Sequence, residues 1–248
     1  MIEPLEEIAL AMQFMTRVPI RFTGLDPARL NRASAWFPVV GLFVGGFGAV
    51  CYKLLVLHLG RSLSATAVVL LMVLVTGGLH EDGLADCADA FGGGWTRDDR
   101  LRILKDSRIG SFGAIALVLS LGARILLLAT LPAGSVLNYM ISAQVLARWT
   151  PLPLGALLPP ARGPEGQGGR VAGRVPWCTV ALGTVFAVVV AGYFLQFSAW
   201  QPILAVLAVA ALSVVYYQRR IEGVTGDCMG ATIQISEIAV YLCGAWIR

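Results

Sequence analysis

Charge is scarce in this chain. Lys, Arg, Asp and Glu make up 14% of its 248 residues, against roughly 25% in soluble domains. Apolar residues reach 57% and the mean hydropathy is +0.74, which excludes an ordinary soluble globule and places the chain in a bilayer. Histidine occurs only twice. The five cysteines, Cys51, Cys87, Cys178, Cys228 and Cys243, include no C-x-x-C pair and lie mostly in or beside apolar runs. That spacing excludes a zinc ribbon or a disulfide framework and leaves core-filling thiols. No basic stripe or repeat is present, so nucleic acid is not expected as a partner. A basic leader is also missing. The opening MIEPLEEIALAMQFMTRVPI carries three glutamates where a cleavable signal carries Lys or Arg. Its apolar Leu5, Ile8, Met12 and Met15 recur at helical spacing, which predicts an amphipathic helix lying at the membrane interface.

What is present is a series of apolar runs of spanning length, about 20 residues each. They cover 36–58, 63–79, 111–131, 136–158, 177–197, 199–217 and 229–247. The fold class expected is all-α, a polytopic membrane helix bundle with seven transmembrane helices, within a range of six to eight. Residues 1–248 form a single membrane domain, and 1–34 are its cytoplasmic or interfacial N-terminal segment. Short loops rich in Lys and Arg stay in the cytoplasm. Seven spans put Arg17, Arg21, Arg29 and Arg32 on one face with Arg97, Arg100, Arg102, Lys105 and Arg108. Arg162, Arg170, Arg174, Arg219 and Arg220 join them there, leaving Arg61 and Arg248 on the other. The long polar loops are therefore predicted to face the cytoplasm from the inner membrane. A lipid-facing bundle of this kind also permits a homo-oligomer.

The segment TGGLHEDGLADCADAFGGG, residues 76–94, gathers Glu81, Asp82, Asp86 and Asp89 at the end of the second run. If 79–91 continues that helix, Asp82, Asp86 and Asp89 stand at i, i+4 and i+7 and share an arc of about 60°. Three carboxylates in that register repel one another unless they take up protons or a cation. Hard oxygen donors without His or Cys point to Mg2+ or Mn2+, and magnesium sites use one or two carboxylates plus substrate phosphate oxygens. Glu81 lies about 100° off that face and is a weaker candidate ligand. A solvated acidic loop is the plainer alternative. The small residues Gly77, Gly78 and Gly83 favour the cation, because they let a bulky ligand or a helix approach. Gly92-Gly93-Gly94 ends the element. His80-Glu81 does not begin an H-E-x-x-H motif, since position 84 is Leu. His80 by itself reads as a hydrogen-bonded interfacial side chain more readily than as a base.

Downstream, RDDRLRILKDSRIGSFGA predicts a short amphipathic helix and then a loop in which Ser107, Gly110, Ser111 and Gly113 lead into the next span. Free N–H groups there, beside Lys105 and Arg108, suit a phosphate. Positive-inside flanking charge explains the same cations equally well. The loop LLPPARGPEGQGGRVAGRV, which includes Arg162, predicts a flexible cover for an anionic ligand, or an ordinary connector. In the last run Glu237 lies two turns inside the membrane, which requires a partner; Arg124 and Arg148 are the candidates. Asp227 starts that helix, as a cap or as a residue completing the metal site.

The motifs GGLHEDGLADCADAFGGG, KDSRIGSFG and GVTGDCMGA…E follow one another in order, after AMQFMTRVPI and RASAWFPVVGLFVGG. Together they resemble the cobalamin-5′-phosphate synthase family, the adenosylcobinamide-GDP ribazoletransferases, from about residue 9 to 241. The resemblance implies an inner-membrane, magnesium-dependent transferase that joins adenosylcobinamide-GDP to α-ribazole or its 5′-phosphate and releases GMP. It places the family's acidic motif on His80, Asp82, Gly83, Asp86 and Asp89. Its D-S-R-x-G falls on Asp106, Ser107, Arg108 and Gly110, and its T-G-D on Thr225, Gly226 and Asp227, with Glu237 beyond. The chain departs from the family at Glu81, where an apolar residue is usual, at Ala147-Arg148, and in the looser 162–168 loop. On this reading Asp82, Asp86 and Asp89 hold the metal and are catalytic, with Asp89 taking the hydroxyl proton. His80, Lys105, Asp106, Ser107, Arg108, Gly110, Arg162 and Asp227 bind substrate. Two alternatives are a CDP-alcohol phosphotransferase, whose D-G-x-x-A-R spacing is missing here, and a cation-coupled transporter, which would set its carboxylates on interrupted helices near the midplane.

Overall fold

A computed structural model describes residues 4–20, 27–162 and 175–246. Among these the chain is helical, with one isolated parallel bridge between Pro160 and Val224. Helix α1 (Pro4–Met15) is the predicted amphipathic helix. It buries Leu10, Ala11 and Met15 against α2 (Pro27–Ala33) and the start of α3 (Phe37–Thr76), and Trp36 donates to Glu7 at 2.9 Å. Helix α3 is two helices in one. At Gly60 the backbone turns to φ 68°, ψ 179°, and Gly48 then sits against Met72, twelve residues away from Gly60 on either side. The arms 37–59 and 61–76 are thus an antiparallel hairpin, matching two of the predicted spans.

The chain continues through α4 (Leu79–Gly93), α5 (Arg97–Ile103), α6 (Ser111–Thr130), α7 (Val136–Trp149) and α8 (Pro151–Leu157). It closes with α9 (Trp177–Leu195), α10 (Trp200–Ile221) and α11 (Gly226–Trp246). Five helical stretches are long and apolar enough to cross a membrane, the first of them being the folded-back 29–76. Helices α7 and α8 meet at Thr150-Pro151. At 1.5 Å per residue their 136–157 path is about 33 Å, another bent crossing. Counted in this way the bundle has the seven crossings expected.

Among the described residues the polar connections 94–96, 104–110, 158–162 and 222–225 collect at one end. Arg97 donates to Ile221 O at 3.2 Å and to Ala161 O at 3.0 Å. Arg100, buried, donates to Arg220 O and Trp95 O, so it caps the last carbonyls of α10. Thr96 and Asp99 form a capping box that starts α5, the short helix the sequence predicts. The opposite end holds the Gly60 turn, the 131–135 turn packed on Gly244, and 196–198. Exposed Tyr193, Phe197, Trp200 and Trp246 ring that end, with Trp177 at the other, the aromatic placement of a membrane protein. The arginine-rich 163–174 segment and Arg21 lie outside the described residues.

The second run and the acidic stretch are not one helix, contrary to expectation. Gly77 (φ 67°, ψ 24°) and Gly78 (φ 70°, ψ 11°) are both left-handed, and α3 ends there. Only glycine adopts that conformation at little cost twice in succession. A side chain at Gly77 would also strike Arg17. Helix α4 therefore starts afresh, with its own direction, and leads into the polar connection that opens α5.

Candidate active site

Helix α4 divides its circumference among three surroundings. With Asp82 set at zero and 100° per residue, Asp86 and Asp89 lie at about +40° and −20°. Residues 81, 85 and 92 lie at about −60° to −100°, and residues 80, 83 and 87 at about 100° to 160°. The negative side packs on α6: Gly113 abuts Ala85 O, Gly92 abuts Phe112, and Glu81 reaches Arg124. The positive side packs on α11: Gly83 abuts the Asp227 backbone, Gly230 abuts His80, and the Cys87 and Cys228 sulfurs are 3.8 Å apart. A β-carbon at Gly83 would lie 2.8 Å from Asp227 O, so glycine is required for the close approach. The acidic face is left over the cleft between α6 and α11, whose N-termini both open at the polar end.

Asp82 is exposed, and Asp86 and Asp89 are half-buried. The Asp86 carboxyl is pushed up from 3.8 to about 7 by partial burial, then by the charges of Asp82, Asp227 and Asp89, with Arg162 opposing. A helix that crowds acids until one holds its proton near neutrality offers hard oxygen donors to a cation. The three aspartates do not, however, converge as a cage. Among the described residues no group of three or more His, Cys, Asp or Glu side chains is arranged to hold a metal ion. Magnesium needs only one or two carboxylates when phosphate and water complete its shell, and Asp82 with Asp86 fits that donor set.

Asp89 has a different place from the one expected for a proton acceptor. Its two oxygens accept from Gly110 N at 2.7 Å and Gly113 N at 2.8 Å. It thus caps the first turn of α6 from a neighbouring helix, where a carboxylate also meets the positive end of the dipole. Gly110 N is taken by that bond and is not free for phosphate.

The other candidates scatter. His80 is not interfacial: it is 3% exposed, behind the acidic face, and its Nε2 has no partner among the described residues. Arg108 is exposed and paired with Asp106 at 2.6 Å, holding that carboxyl down to about 2 through hydrogen bonds. Lys105 and Ser107 are exposed on the same loop. Arg162 donates to Leu101 O at 3.2 Å and stands 4.0 Å from Asp227, so it closes the α11 side of the cleft. Asp227 accepts from Thr225 Oγ1 at 3.2 Å and faces Asp86. The structure thus brings Asp82, Asp86, Asp227 and Arg162 together, with Asp89 beside them, and sets His80 apart.

Glu237 has the partner its position demands: Arg124 Nε lies 3.1 Å from it. The same guanidinium donates to Glu81 at 2.7 Å and Gln234 at 3.1 Å. Sequence reasoning left Glu81 off the acidic face without finding its partner. The available signal was an arginine in mid-span of α6 with a second acid at the start of α4. Arg148, the other candidate, donates to Gln144 and has no carboxylate within 4.0 Å among the described residues.

The sequence profile described as cobalamin-5-phosphate synthase matches residues 7–245. An adenosylcobinamide-GDP ribazoletransferase of Ralstonia pickettii is 38% identical over 234 residues, covering 93% of this chain and 91% of the relative. One from a Shewanella species is 38% identical over 241 residues, covering 94% and 91%. One from Leptospira interrogans is 38% identical over 240 residues, covering 92% and 91%. No solved structure matches. Profile and relatives run almost end to end, through the acidic face and both helix N-termini that flank it, and the chain belongs to the cobalamin-5-phosphate synthase family.

Proposed function

We propose that the chain is an adenosylcobinamide-GDP ribazoletransferase of the inner membrane, with the polar end of the bundle toward the cytoplasm. It joins adenosylcobinamide-GDP to α-ribazole or its 5′-phosphate and releases GMP, late in cobalamin biosynthesis. The observation that carries the reading is the acidic face of α4 set in the cleft between the N-termini of α6 and α11. Asp82 and Asp86 would hold a magnesium ion, which when bound would supply positive charge to the diphosphate and to the departing phosphate. Asp227 faces them from α11, and Arg162 beside it holds a non-bridging oxygen. With both Asp89 oxygens engaged by backbone amides, Asp82 or Asp227 is better placed to accept the ribose hydroxyl proton. Lys105 and Arg108, exposed at the rim, draw the anionic substrate in from solution.

The test is GMP release from adenosylcobinamide-GDP and α-ribazole by the purified protein, with and without Mg2+. Asp82→Asn and Asp86→Asn should each lose at least a hundredfold in kcat while remaining folded, as expected when charge at the reacting group is removed. Wild-type turnover in either at saturating magnesium refutes the assignment. Cation or vitamin uptake into proteoliposomes without GMP would favour the transporter instead.

A further inference from the structure

The buried charges under α4 lie outside the chemistry just described, yet they bear on it. Helix α4 cannot inherit its direction from α3, because two left-handed glycines separate them. Its first turn has no side-chain cap. Beside the close packing of Gly113 on Ala85 and of Phe112 on Gly92, two polar fastenings hold it to α6. Near its C-terminal end Asp89 accepts from Gly110 N and Gly113 N. At its N-terminal end Glu81 accepts from Arg124 Nη1 at 2.7 Å and from Gln234 Nε2 at 2.9 Å. Arg124 also binds Glu237 at 3.1 Å, so one guanidinium ties α4, α6 and α11 together. The side chains of Arg124 and Glu237 are each 2% exposed, and that of Glu81 10%. Asp82 and Asp86 lie between the two fastenings, which are eight residues or about 12 Å apart along the helix.

We infer that Glu81 and Arg124 are positioning residues for the transfer reaction. Their contact sets the axial and rotational place of α4, and so the distance from Asp82 and Asp86 to Asp227 across the cleft. Neither touches substrate. The charges of Arg124 and Arg148 balance those of Glu81 and Glu237, so removing a carboxylate outright unbalances a buried cluster and risks the fold. The informative change is Glu81→Asp, which keeps the charge and shortens the side chain by one methylene. To keep its bond to Arg124, α4 must shift toward α6 by about 1 Å, a displacement that can cost up to a hundredfold in rate.

The inference rests on the acidic face being the reacting site. The experiment measures kcat and KM for Glu81→Asp, with Arg124→Lys as second variant, and hydrogen exchange across the whole protein in detergent. Expected is a kcat at least tenfold lower with KM within twofold. Exchange should be faster in 79–86 and unchanged in α9 and α10. A wild-type kcat in Glu81→Asp overturns the inference. So does an activity loss matched by faster exchange throughout the bundle, which marks a merely structural cluster. If Asp82→Asn also kept full turnover, the reacting-site reading would fail instead, while local exchange in 79–86 would still report the fastening.

Discussion

Replacing Gly83 with alanine tests how closely α4 and α11 must approach. The added β-carbon would meet Asp227 O at 2.8 Å, Cα at 3.0 Å and C at 3.3 Å. All three are backbone atoms that no side-chain rotation removes, so the helices must part by about 0.5 Å to restore ordinary contact. Stability falls by no more than about 2 kcal/mol, because alanine gains about 1 kcal/mol of helix propensity while overpacking costs about 1–3 kcal/mol. Activity moves more. If a 1 Å misplacement costs about a hundredfold, half of that costs about tenfold, since Asp86 and Asp227 face each other across this contact. GMP release by folded, monodisperse Gly83→Ala should fall about tenfold, and the bulkier Gly83→Val should fall further. Gly122→Ala on α6, with nothing within 4 Å of the added carbon, is the control and should match wild type. Turnover within twofold of wild type in Gly83→Ala would refute the argument that the α4–α11 spacing sets the site.

Two further outcomes follow from the same geometry. Asp89→Ala removes the acceptor for Gly110 N and Gly113 N and should cost about 1–2 kcal/mol of stability, as for a lost helix cap; an unchanged melting curve would show that α6 needs no such cap. With metal chelated, Asp86 favours the folded state most when protonated, since its carboxyl is pushed up from 3.8 to about 7. Its contribution is complete below its ordinary value and is lost as pH rises through about 7. Melting in EDTA should therefore fall between pH 4.5 and 8 more steeply in wild type than in Asp86→Asn. Parallel slopes would contradict the burial of Asp86 and its crowding by Asp82 and Asp227.

Much of this protein is written in local pattern. Apolar runs of membrane length, the amphipathic N-terminal helix and the i, i+4, i+7 aspartates need only composition and helical period to be read. The motif order was equally plain, and the family membership agrees with it. The count of seven crossings emerged even though α3 and α7–α8 are bent at Gly60 and Pro151.

What the sequence by itself determined is where helices form and which face of α4 is acidic, because both follow from periodicity within one segment. Which of those acids is free was decided only by tertiary structure. Asp89 and Asp86 are alike in the sequence. They part ways because Gly110 and Gly113, more than twenty residues downstream, bring unsatisfied N–H groups to one and leave the other facing Asp227. Glu81 likewise finds Arg124 and Gln234 only when α4, α6 and α11 pack. Such partners are fixed by three-dimensional approach between distant segments, and local periodicity carries no information about it.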